Sequence, residues 1–167
     1  IKVFDLCTGT GVIGITVKKT IPGVECTLSD ISSDALELAA DNSKSLKADV
    51  RIVQSDLFEE FADEKFDIIV SNPPYIRRAD IDKLQTEVRE FDPHLALDGG
   101  EDGLEFYRNI ADEVQNYLKR SGYLICEIGA DQGDDVVKIF KEAGAVNARI
   151  IKDFTDKDRI LEARFDN

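Results

Sequence analysis

Lys2-Val3-Phe4-Asp5-Leu6-Cys7-Thr8-Gly9-Thr10-Gly11-Val12-Ile13-Gly14 sets the plan of this chain: five strand-prone residues, a glycine-rich turn, and helical spacing through Lys19. An apolar run of that length bounded by glycine reads as a buried strand, and glycines at 9 and 11 let backbone approach a ligand closely. A helix starting there offers its N–H groups and the positive end of its dipole to the same place, which makes a nucleotide-type cleft. Gly9-x-Gly11-x-x-Gly14 also meets the dinucleotide spacing, and a tight βα turn without a ligand produces it too. The motif alone does not choose among these.

Further along, Glu25-Cys26-Thr27-Leu28-Ser29-Asp30 reads as a second strand closing on a carboxylate, nineteen residues after Gly11. An acid at that strand tip is where a doubly wound fold hydrogen-bonds ribose hydroxyls. Ser32, Ser33 and Asp34 follow as helix-cap types for a helix over 35–46, with Asp34 taken as the cap and Asp30 as the ribose ligand. Val50-Arg51-Ile52-Val53-Gln54 makes a third strand, closing on Ser55-Asp56-Leu57-Phe58. There Asp56 can accept from an adenine amino group while Leu57 packs on the ring; an ordinary acidic loop has the same composition. Strands alternating with helical stretches imply parallel βαβ units, whose ligand crevice lies at the strands' carboxyl ends.

Phe66-Asp67-Ile68-Ile69-Val70 is the fourth strand, and it stops on Ser71-Asn72-Pro73-Pro74-Tyr75. Neither proline donates to a ladder and each fixes its own φ, so the loop is rigid. The Asn72 side-chain carbonyl and the backbone carbonyls can then face outward as fixed acceptors beside the Tyr75 ring. A planar group bearing an NH2, an amide or an exocyclic base amine, fits between acceptors and ring. A plain Pro-Pro turn with Tyr75 in the core is the competing reading.

The rest of the chain is plainer. Residues 77–100 hold the longest stretch without strand character, a candidate lid over the crevice or else a solvated connector. Residues 104–118 show helical spacing before Lys119-Arg120-Ser121-Gly122, and Tyr123-Leu124-Ile125-Cys126-Glu127-Ile128 reads as a fifth strand. Glu127 can face the crevice, though a strand-end acid paired with an arginine is the preferred expectation. A helix over 134–143, a strand Ala148-Arg149-Ile150-Ile151, a polar loop over 153–158 and a closing antiparallel strand over 159–165 complete the pattern. The fold expected is therefore α/β, a Rossmann-like sheet that is mostly parallel with a C-terminal antiparallel strand and helices on both faces, in one domain over 1–167.

Composition narrows the function. Of 167 residues, 43% are hydrophobic and 33% charged, a globular balance, and no apolar run reaches membrane-spanning length. The net charge of −13 opposes nonspecific binding to nucleic-acid backbones, which depends on clustered Lys and Arg. Three cysteines, Cys7, Cys26 and Cys126, lack metal-ligand spacing and read as buried thiols of a reducing, cytoplasmic protein. The single histidine, His94, argues against a histidine-ligated metal and is read as structural. The chain opens on Ile1 inside a strand and contains no Met, which reads as an excised piece of something longer.

Asp5-x-Cys7-x-Gly9-x-Gly11, Asp30, Asp56 and Asn72-Pro73-Pro74-Tyr75 together resemble a class I S-adenosylmethionine-dependent methyltransferase of the amino-methylating type. The stretch Phe91-Asp92-Pro93-His94-Leu95-Ala96-Leu97-Asp98-Gly99-Gly100-Glu101-Asp102-Gly103-Leu104-Glu105-Phe106-Tyr107 is similar to the HemK/PrmC family of protein-glutamine N5-methyltransferases. That family methylates the glutamine of the Gly-Gly-Gln motif in peptide chain release factors. The resemblance implies that Cys7, Thr8, Gly9, Thr10 and Gly11 face the methionine part of S-adenosylmethionine, Asp30 its ribose, and Asp56 with Leu57 its adenine. Asn72, which the resemblance places on the cofactor side as well, and the Pro73 carbonyl would accept the two N–H bonds of the substrate amide. Pro74 would line the substrate-binding loop with them and Tyr75 pack on the amide plane, with no metal and no evident general base. The implied partner is a release factor, with no membrane and no direct nucleic acid. The nearest rival is an N-methyltransferase acting on an exocyclic amine of a DNA or RNA base, which shares the Asn-Pro-Pro-Tyr loop. Cys7 stands where many methyltransferases have the first glycine, so the turn must accept a β-carbon. The family also carries an upstream helical domain and a short segment before the first strand, neither of which is in this sequence.

Overall fold

A computed structural model describes residues 1–84 and 94–166, with His94 and Leu95 described in backbone alone. Its centre is a seven-stranded sheet in the order β3-β2-β1-β4-β5-β7-β6. The strands are β1 (Lys2–Leu6), β2 (Glu25–Asp30), β3 (Arg51–Gln54), β4 (Phe66–Ser71), β5 (Leu118–Glu127), β6 (Asn147–Lys152) and β7 (Asp158–Arg164). β1 to β5 pair in parallel, and β7 runs antiparallel to both β5 and β6. The mostly parallel sheet with an antiparallel closing strand is the architecture that the strand and helix alternation implies. The helices are α1 (Val12–Thr20), α2 (Ser33–Leu46), the single turns α3 (Arg78–Ile81) and α4 (His94–Leu97), then α5 (Glu105–Glu113) and α6 (Gly133–Glu142).

Two apolar clusters show why both faces of the sheet are covered. Val3, Ile15, Val24, Cys26 and Leu28 form the smaller one, between α1 and the β1/β2 strands. The larger gathers Phe4, Phe58, Phe61 and Phe66 with Tyr107, Ile110, Phe140 and Phe165. Phe4 is fully buried and stacks on Phe66 with ring centroids 4.7 Å apart, so successive residues of β1 feed opposite faces. Truncating such a ring to Ala typically costs about 3–5 kcal/mol.

Three sequence expectations change. The stretch expected as a helix over 104–118 ends at Glu113 and continues as a 3₁₀ turn, Val114–Asn116; Leu118 already pairs with Phe66 as the first residue of β5. Lys119 to Gly122, read as a helix stop, lies inside β5, where Ser121 at φ 59° accompanies a register shift between Phe66 and Ile68. A left-handed residue in a strand marks a bulge, which accommodates a Ser-Gly pair without ending the ladder. The cap of α2 is Ser32, whose Oγ accepts the Ala35 N–H at 3.2 Å, while Asp34 sits within the first turn. The Ser32 N–H in turn donates to Asp30 Oδ1 at 3.0 Å, which sets the start of the helix two residues ahead of Asp34.

Candidate functional site

The parallel strands share one register, so their carboxyl ends form one rim. Leu6 lies beside both Ser29 and Ser71, and Asp30 beside Gln54. Cys7, Asp30, Ser55 and Asn72 are therefore the residues at or just beyond adjacent strand ends. All sequence-selected residues, Cys7 to Gly11, Asp30, Asp56 with Leu57 and Asn72 to Tyr75, reach this rim. Ser71 ties two strands beneath it, its hydroxyl donating to the Leu6 carbonyl at 2.7 Å.

The glycine-rich turn is built from below by Asp5 and from the side by Asp30. Asp5 is 1% exposed; its Oδ2 accepts the Thr8 hydroxyl at 2.5 Å and the Gly14 N–H at 2.7 Å. Burial outweighs both bonds and raises its carboxyl from 3.8 to about 6. The third glycine thus serves the Asp5 bond and close packing, since a Cβ on Gly14 would lie 2.6 Å from Leu28 Cδ1. Asp30 Oδ2 accepts the Gly9 N–H at 2.8 Å, and Asn42 of α2 donates its side-chain N–H to the Thr10 carbonyl at 3.0 Å. Cys7 is left-handed at φ 58°, so the turn does accept a β-carbon there, at a cost of about 1–2 kcal/mol. Its thiol is pushed up to about 12, first by burial and then by the Asp30 charge. Leu57 is also left-handed, at φ 43°, and the Ser55 hydroxyl donates to its carbonyl at 3.0 Å. Asp56 is exposed beside it.

Beyond β4, Asn72 is exposed while Pro73 and Pro74 are buried. Tyr75 is half-buried and packs against the larger cluster, and its hydroxyl donates to Glu127 Oε1 at 3.1 Å. Glu127 is thus bound by a tyrosine, where an arginine was expected. Arg159 forms its ion pair with Asp153 at 3.2 Å. β4 and β5 are parallel neighbours, and this register brings Tyr75 to the end of β5 from 52 residues away.

The glycine-rich stretch that follows locks onto this loop. Ile76 donates its N–H to Leu97 O at 3.1 Å, Gly99 to Ile76 O at 2.9 Å, and Arg78 to Gly100 O at 2.9 Å. Residues 97–100 are thus bonded to the loop's continuation, and the connector reading does not hold for them. Phe91, Asp92 and Pro93 of the resemblance and the middle of the candidate lid, 85–93, lie outside the described residues. Sequence reading also passed over Gln132, whose buried side chain meets this loop. Its one local trace is the spacing Glu127-x-Gly129-x-x-Gln132 at the turn into α6.

A mostly parallel sheet with an antiparallel β7 and a carboxyl-end rim of this make-up is the class I methyltransferase fold. A methyltransferase from Pyrococcus furiosus superposes with a TM-score of 0.76 at 16% identity, covering 99% of this chain and 75% of that one. A family model described as methyltransferase small domain matches residues 1–100, and the chain belongs to that family. Among curated relatives, the release factor glutamine methyltransferase of Clostridium acetobutylicum is 43% identical over 166 residues, covering 97% of this chain and 58% of that protein. The protein of the same name from Agrobacterium fabrum is 44% identical over 165 residues, covering 98% of this chain and 57% of that protein. The chain thus spans somewhat over half the length of the curated relatives it matches. Among the described residues, no helix is long and apolar enough to cross a membrane.

Proposed function

We propose that this domain methylates the side-chain amide nitrogen of a glutamine, the Gly-Gly-Gln glutamine of a peptide chain release factor, using S-adenosylmethionine. The observation that carries the reading is the loop after β4: an exposed Asn72 on a backbone fixed by two buried prolines and a tethered Tyr75. The relatives' names point to a release factor glutamine as the acceptor, and the family resemblance to its Gly-Gly-Gln setting.

The rim fits the cofactor's chemistry. A Cβ added to Gly9 would meet nothing within 4 Å, so the approach over the turn is open. Asp30 and Asp56 offer acceptors for hydroxyl and amino groups, and the exposed side chains of Val12 and Ile31 offer apolar surface. Cys7 to Gly11 would hold the methionine part, Asp30 the ribose, and Asp56 with Leu57 the adenine. When bound, the cofactor supplies an electrophilic methyl group on a sulfonium.

An amide nitrogen is a poor nucleophile because its lone pair is delocalised into the carbonyl. Asn72 Oδ1 and the Pro73 carbonyl accept its two N–H bonds and fix its orientation, and Tyr75 covers the amide plane. These acceptors strengthen their hold as the nitrogen gains positive character, so positioning and preorganised polarity provide the acceleration. Once methylated, with the thioether as leaving group, the nitrogen would release one of its two protons to water. The test is transfer of labelled methyl groups to a full-length release factor, beside its Gly-Gly-Gln glutamine variant and bulk DNA and RNA. Label on the wild-type factor alone supports the reading; label on nucleic acid replaces it with base methylation.

A further inference from the structure

Gln132 immediately precedes α6 and is 3% exposed. A buried carboxamide carries two N–H donors and a carbonyl, and burial is costly unless they are paired. Here Nε2 donates to the Tyr75 carbonyl at 3.0 Å and to the Gly103 carbonyl at 3.0 Å, while Oε1 accepts the Gly129 N–H at 2.9 Å. One side chain therefore joins the loop after β4, the glycine-rich stretch before α5 and the end of β5.

The junction has no slack. A Cβ on Gly103 would sit 2.6 Å from the Tyr75 carbonyl oxygen and 2.7 Å from Gln132 Nε2, and one on Gly99 would sit 2.7 Å from Tyr75 Cα. The same turn holds the loop at two more points. Glu127 accepts the Tyr75 hydroxyl at 3.1 Å, and Asp131 pairs with Arg77 at 2.8 Å. Tyr75 is thus held by its main-chain carbonyl and by its hydroxyl from residues five apart.

The chemistry at 132 is restrictive. Two carbonyl oxygens converge on Nε2, so a carboxylate in its place would set acceptor against acceptor. Asparagine is a methylene too short to reach all three partners.

We propose that Gln132 is a positioning residue for the acceptor loop, fixing the Tyr75 main chain against the Gly99–Gly103 stretch so that the Pro73 carbonyl and the Tyr75 ring hold the substrate amide. This rests on the methyl-transfer reading for its catalytic consequence and not for the latch itself.

The experiment compares wild type with Gln132→Ala and Gln132→Glu in three readouts: steady-state transfer to the release factor, calorimetric binding of S-adenosylhomocysteine, and residue-resolved amide hydrogen exchange. Displacing a positioned group without touching the reacting atoms costs on the order of 100-fold in kcat. The expected result is that loss in kcat with cofactor affinity unchanged, and faster exchange confined to 75–78 and 97–103 while β1 and β2 stay protected. Wild-type turnover and exchange in Gln132→Ala overturn the proposal, as does exchange raised evenly through the sheet, which marks a general packing role. If wild type methylates no glutamine, the functional reading falls; local exchange in Gln132→Ala then still decides the latch, loosened supporting it and unchanged overturning it.

Discussion

The Tyr75 hydroxyl donates to Glu127 across 3.1 Å, joining the loop after β4 to the end of β5. Burial and then the Glu127 charge raise the phenol above its ordinary value. Glu127→Gln keeps an acceptor and removes the charge, so the Tyr75 phenol titrates at lower pH in that variant, by NMR of ring-labelled tyrosine. Unchanged titration would show that the charge does not reach the ring. Tyr75→Phe forfeits the hydrogen bond, about 1 kcal/mol, while keeping the ring's packing.

Asp5 gives a pH dependence of defined sign. Its carboxyl is raised by burial from 3.8 to about 6, so between those values the folded protein keeps a proton that the unfolded chain has shed. Stability falls as pH rises through that window, and above it the full penalty is present. Two pKa units correspond to about 3 kcal/mol. Measured against Asp5→Asn, which cannot titrate, wild-type unfolding free energy should drop by about that amount between pH 4 and pH 7 in urea melts. A constant difference across the range would refute the assignment.

The cysteines should be silent. Burial pushes the Cys7 thiol to about 12 and also raises Cys26 and Cys126. Thiolate is the reactive form, so a disulfide reagent at pH 8 should label none of the three quickly in the folded protein and all three in denaturant. Rapid labelling of Cys7 while folded would place it in a more open turn than described.

Asn72→Ala separates binding from chemistry. S-adenosylhomocysteine affinity should largely survive in calorimetry, while methyl transfer loses about 2–4 kcal/mol of transition-state stabilisation, as on removal of one preorganised polar contact. Undiminished turnover would remove Asn72 from the mechanism.

What the sequence made legible was whatever depends on short range. Alternating strands and helices, the glycine-rich turn and the acids at strand ends are local signals, and these residues all reach the rim. Asn72 to Tyr75 could be read as a rigid loop because proline acts on its own φ. Register was not legible. Glu127 meets Tyr75 because β4 and β5 are parallel neighbours, and no spacing in the chain encodes that. Gln132 drew no reading from its neighbours in sequence, because the approach of Gly103 and Tyr75 from elsewhere is what buries it. The choice of Ser32 over Asp34 as cap is a contest among three good capping residues, decided by the Asp30 carboxylate upstream. Leu118 continued the helical spacing of α5, and its pairing with Phe66 overrode that spacing.

The order β5-β7-β6 has a consequence for synthesis. β7 follows both β5 and β6 in the chain and yet lies between them, with both of its edges paired in the finished sheet. A nascent chain that has reached residue 157 leaves one edge of β5 unpaired and gives β6 no sheet partner, and an unpaired strand edge is a template for intermolecular pairing. Arrival of residues 158–164 covers the β5 edge and brings β6 into the sheet in one step. Until then the rim side holding Glu127 lacks the neighbour that pairs Glu127 with Ile160.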